Sequence, residues 1–210
     1  MNLYWYLLIV LAGAFTLLAF GVRLRKFSRL ALPVDRSAPK GKVMWGIAYA
    51  YTLGMAPWAK ESTRRHALAY LRGVAFHLGI FLCLALLVTS PWIPLLPIIW
   101  RTWLAIGAAL GAFFGLIGFI ARFVEHNLKS LSTPDDYFSV LLVSLFMGAA
   151  ALWLFLPATL PVFYGVSAFM LIYAPFSKIR HCIYFAFSRL FFGRFFGNRA
   201  VFPHSQQGAR

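Results

Sequence analysis

The sequence predicts an all-α integral membrane bundle of five transmembrane helices, with the N-terminus outside and the C-terminus inside. Three observations lead there. Of the 210 residues, 61% are hydrophobic and 12% charged, more apolar surface than a water-soluble fold of this size can hide. The apolar residues run in stretches near the roughly 20 residues that cross about 30 Å of hydrocarbon. Finally, placing the loops on alternate sides gathers nineteen of the twenty lysines and arginines on one face and leaves only Arg101 on the other, which by the positive-inside rule makes that face cytoplasmic.

The first run covers about residues 3–22 and stops at Arg23, Arg25, Lys26 and Arg29. Without a small-residue cleavage site it reads as an anchor rather than a removable signal peptide. The second covers about 70–96, interrupted near its far end by Pro91 and Pro94, and the third about 98–121. The fourth covers about 137–156; Asp135 and Asp136 follow Pro134 just before it and suit an N-cap and first turn, where carboxylates complement the helix dipole. The fifth covers about 161–184.

Two further segments are apolar without reading as spans. Residues 43–58 (VMWGIAYAYTLGMAPW) are short, contain Gly46, Gly54 and Pro57, and sit between Lys42 and Lys60. Crossing there would put a dense basic cluster outside, so an interfacial or re-entrant helix is expected. The tail, 185–210, interleaves aromatics with Arg189 and Arg194 and is expected to rest in the headgroup region with its arginines snorkelling.

The charge of +15 follows from the positive-inside distribution, so no nucleic-acid partner is expected. Cys83 and Cys182 form no CxxC pair, which argues against a disulfide framework, an iron–sulfur cluster held by this chain alone, and covalent heme. No Gly-rich phosphate loop, HExxH or nucleophile elbow occurs. No carboxylate lies in mid-span, so a channel or carrier finds no positive support.

Of five histidines, two fall inside expected spans: His77 and His181, both toward the cytoplasmic end of their helices. Intramembrane imidazoles are costly and mark functional candidates. Two at one depth on facing helices are what a bis-histidine b-type heme requires, with both as axial ligands and an iron suited to electron transfer. The other reading, hydrogen bonds to helix neighbours, stays open on spacing alone. Gly73 lies one turn before His77, where a missing side chain leaves room for a macrocycle. Ser177 lies one turn before His181, where it could orient the ring. Arg72, Lys178 and Arg180, with Arg65, flank this depth as interfacial cations that could also neutralise propionates. His126 and His204 read as loop residues. His66, eleven residues before His77, could serve a second heme if its helix starts early.

Three motifs carry a family resemblance. Pro175-Phe176-Ser177-Lys178-Ile179-Arg180-His181 resembles the PFS(R/K)xxH end of the last helix in respiratory nitrate reductase gamma subunits. Phe76-His77-Leu78-Gly79-Ile80 resembles the FHxGI of their second helix, and Ser132-Thr133-Pro134-Asp135-Asp136-Tyr137 is similar to a loop in membrane cytochromes b of heterodisulfide-reductase-type and sulfite-reduction-associated complexes. The resemblance covers about residues 66–185. It implies a prokaryotic inner-membrane subunit that passes electrons between quinone and a cytoplasmic iron–sulfur partner of a respiratory oxidoreductase. The family's diheme pattern has two further histidines, and their places hold Leu87 and Phe163 here. The expectation is therefore one heme b, ligated by His77 and His181. A quinone site nearer the cytoplasmic face, walled by residues 43–58, would suit it. The competing expectation is a cofactor-free membrane anchor or scaffold that recruits a soluble enzyme through its basic loops.

Overall fold

A computed structural model describes residues 3–30, 37–59 and 64–202. Lys60, His204 and the end of the tail lie outside the described residues. Among those described there is no strand. Among the described residues, eight α-helices with defined bounds run in the order α1 (Leu3–Ser28), α2 (Val43–Tyr51), α3 (Ala67–Thr89), α4 (Ile98–Val124), α5 (His126–Leu131), α6 (Pro134–Phe155), α7 (Leu160–Tyr173) and α8 (His181–Arg199).

Five helical segments are long and apolar enough to cross a membrane: Leu3–Ser28, Ala67–Thr89, Ile98–Val124, Pro134–Phe155 and Pro157–Phe176. The chain is thus a multi-pass membrane protein. Large apolar side chains such as Leu17, Phe81, Leu110 and Phe113 remain exposed on these segments, the surface that lipid covers.

Two boundaries differ from the sequence reading, both at proline. α3 ends at Thr89, and the chain turns through Pro91 into a short 3₁₀ turn at Ile93–Leu95, because a proline in the helix interior removes a hydrogen bond and clashes with the preceding turn. The fifth run breaks likewise at Pro175. α7 gives way to 3₁₀ turns at Ala174–Phe176 and Lys178–Arg180, with extended Ser177 between them, and α8 starts afresh at His181. The tail up to Arg199 is therefore regular helix.

The chain divides into two compact units, Met1–Gly21 with Leu71–Ile179, and Val22–Tyr70 with Arg180–Arg210. In the first, α6 is the central helix, burying Leu142, Val143, Phe146, Met147, Ala150 and Leu154. α4 presents to it a stripe of small residues, Ala105, Ala108, Gly111, Ala112 and Gly115, which lets backbones approach closely. Gly79 of α3 meets Gly111 of α4; a Cβ on Gly79 would lie 2.6 Å from Gly111 Cα. Phe163 of α7 is fully buried, stacked on Trp153 at 5.2 Å and on Phe146 at 5.7 Å. The buried hydroxyls of this unit are paired, as lipid-embedded folds demand, while Arg101 Nε and Arg122 Nε are buried without a partner among the described residues. Tyr164 and Ser90 share a hydrogen bond of 2.7 Å, and the Thr16 hydroxyl lies 2.7 Å from Leu171 O, joining α1 to α7.

The second unit is a glycine crossing. A Cβ on Gly46 of α2 would lie 2.5 Å from Gly197 Cα, and one on Gly193 2.5 Å from Ile47 Cα. The Gly193-x-x-x-Gly197 spacing puts both glycines on one face of α8, where α2 rests backbone to backbone. Tyr51 Oη donates to Ala186 O at 2.6 Å, and Lys40 N–H to Asn198 O at 2.8 Å. α2 itself has nine residues, a rise of about 14 Å and so roughly half the hydrocarbon thickness. α8 closes on Ala200 at φ 52°, the left-handed cap position that glycine usually fills.

Candidate functional site

His77 stands on α3 in the first unit, with its ring exposed. Its Nδ1 lies 2.6 Å from Gly73 O, one turn back. A carbonyl only accepts, so Nδ1 carries the proton and donates, and Nε2 is the ring atom with the lone pair. This is a hydrogen bond to a helix neighbour, the other reading the sequence leaves open, and the same bond would orient a ligating ring. The Phe76 ring sits edge-on to the imidazole at 5.7 Å. Gly73 has open space around it, since a Cβ there would meet nothing within 4 Å. An imidazole oriented in this way is one of the two that a bis-histidine heme would need.

His181 is the first residue of α8, exposed, and belongs to the second unit. It follows a break in the helix, so Ser177 is not one helical turn below it on a continuous helix. The Ser177 hydroxyl is buried and works locally, donating to Ala174 O at 3.3 Å and accepting from Ile179 N–H at 3.2 Å. It shapes the turn from which His181 departs.

The cations expected around the site hold other partners as well. Arg72 Nη1 lies 3.6 Å from Glu125 at the end of α4. Lys178 Nζ lies 3.5 Å from Asp136. Both are partly exposed ion pairs of small energetic weight, about 0.5 kcal/mol. Arg180 is half-buried just ahead of α8. His66 is exposed in a turn immediately before α3, and His126 is exposed at the start of α5. α3 begins at Ala67, directly after His66, whose carbonyl accepts from Tyr70 N–H at 3.0 Å.

One residue carries more structure than its sequence context suggested. Asp136 completes a capping box with Thr133 at the start of α6, as expected. Asp135 does something else: its carboxylate accepts from the Tyr173 hydroxyl, from the Lys178 backbone N–H at 2.7 Å and from Ser139 Oγ at 3.3 Å. It clasps the end of α7 and the turn that follows, which fixes the backbone three residues before His181 is reached. The Asp-Asp pair after proline signalled a cap, but not that one of the two reaches forward to residues 173 and 178.

The two places where the resembling family has further histidines are filled. Leu87 is buried, and Phe163 lies between two aromatic rings with no exposed surface. Among the described residues no cluster of three or more His, Cys, Asp and Glu side chains is placed to hold a metal ion. In comparisons with known proteins the chain matches no family model, no curated protein and no solved structure.

Proposed function

We propose that the chain is the heme b subunit of a respiratory oxidoreductase in the inner membrane of a prokaryote, passing electrons between membrane quinone and a cytoplasmic iron–sulfur partner. The observation that carries this reading is the His77–Gly73 arrangement. An imidazole on a membrane-spanning helix has its proton held at Nδ1, so that its lone pair is on Nε2, and Gly73 one turn back is open. His77 and His181 would be the axial ligands, with Arg72, Lys178 and Arg180 near the cytoplasmic side to meet propionates. Bound heme supplies one-electron chemistry. The protein's own part is to orient the imidazoles, keep the site in lipid and present a basic surface to its partner. The N-terminus lies outside and the C-terminus inside, following the lysine and arginine distribution.

The tight aromatic packing at Phe163 supports one heme rather than two, because a macrocycle at that position would have to displace a ring stacked on both faces. A short polyprenyl quinol added to the purified protein in lipid nanodiscs tests the function. The expected result is reduction of a b-type heme, lost in His77→Ala and His181→Ala. A colourless wild type that still captures a soluble oxidoreductase would favour the cofactor-free anchor.

A further inference from the structure

The net charge of +15 is not spread over the molecule. The segments of the second unit, 22–70 and 180–210, carry fifteen of the twenty lysines and arginines against two carboxylates, Asp35 and Glu61. Glu125, Asp135 and Asp136 all lie in the first unit. A polyanion is the complement of such a unit.

The shape of α8 narrows the class of polyanion. Gly193 and Gly197 are buried against α2, which commits one face. Phe191, Phe192, Arg194 and Phe195 are exposed. Two arginines lie over rings, with the Arg189 guanidinium carbon 5.1 Å from the Phe185 centroid and that of Arg199 3.8 Å from the Phe195 centroid. Arg189 Nε is buried without a hydrogen-bond partner among the described residues. Guanidinium forks match phosphate oxygens two at a time and tolerate an apolar floor. Exposed phenylalanines between them would be a liability facing water, but they suit acyl chains. A soluble acidic protein would satisfy the charges and leave those rings unexplained.

We propose that the outward side of α8 is a docking surface for anionic phospholipid, with Arg194 and Arg199 on the phosphates and Phe191, Phe192 and Phe195 among the acyl chains; Arg189, one turn before Gly193, belongs to the face turned to α2. The assignment stands independently of the heme reading. It makes lipid headgroup charge a ligand of this unit rather than a passive solvent.

Native mass spectrometry of the full chain, equilibrated in neutral detergent with phosphatidylglycerol or phosphatidylcholine, tests it. The wild type should retain phosphatidylglycerol preferentially, and the preference should fall about fivefold per arginine removed, reaching near parity in Arg194→Gln/Arg199→Gln. Lys129→Gln, in the other unit, should keep the preference. Raising the salt to about 0.5 M should weaken it in the unmodified chain, a readout that needs no variant to fold. A double variant with native helix content and unchanged preference would overturn the assignment. So would a wild type in phosphatidylcholine nanodiscs that binds polyglutamate as tightly as it binds phosphatidylglycerol, since that outcome would assign the surface to an acidic protein.

Discussion

The two units of this chain solve the same problem, bringing helices close, with different chemistry. The first is built for hydrocarbon: its core is a small-residue stripe on α4 against the bulky buried face of α6, and its buried hydroxyls are paired. The second is aromatic and basic, and its principal contact is glycine backbone on glycine backbone between α2 and α8. What differs is how far each relies on missing side chains. Side-chain volume fills the first core around one such approach, Gly79 on Gly111, whereas the principal contact of the second rests on the absence of side chains at three positions. Away from Gly79 and Gly111 the first should tolerate conservative changes in size, and the second should tolerate none at its crossing.

The largest expected effect therefore belongs to Gly46→Val. The added atoms would run into the backbone of Gly193 and Gly197, which cannot rotate away as a side chain can, at a cost of about 3 kcal/mol. Hydrogen exchange should accelerate across α2 and α8 while α4 and α6 keep their protection. Equal loss in both units would break the comparison. Next comes Asp135→Ala in the first unit, which removes the acceptor of three hydrogen bonds and should cost about 2 kcal/mol. The Lys178 amide should be among the first to lose protection. Tyr164→Phe is smaller: it deletes one buried hydrogen bond to Ser90 and keeps the ring, for about 1 kcal/mol in thermal unfolding. Smallest is a gain, in which Ala200→Gly relieves a left-handed residue at the end of α8 and should stabilise that end by up to about 1 kcal/mol.

Much of the first unit was legible in the sequence because lipid is an undemanding reader: a run of some 20 apolar residues has few alternatives to a span. Helix ends were less so. Pro91 and Pro175 stop their helices where hydropathy alone carried them on to Leu96 and Tyr184, since the apolar character outlasts the helix. The crossing of α2 and α8 was hidden for another reason. Gly46 read as a weakness in a short segment, and its meaning depends on Gly193 and Gly197, distant in sequence, whose own GxxxG spacing does not name the partner. In the candidate site, the place of Gly73 one turn before His77 follows from helical periodicity and was legible, whereas its carbonyl as the acceptor of the Nδ1 proton was not. The forward reach of Asp135 was not, because a carboxylate after proline explains itself locally as a cap.

The claim on which the account turns is that one heme is held by His77 and His181. A pyridine hemochrome measurement on the purified chain, alongside His77→Ala and His181→Ala, tests it most directly. One b-type heme per chain in the wild type and a clear loss in each variant is the expected result. Two hemes per chain, or heme content unchanged by either substitution, would contradict it.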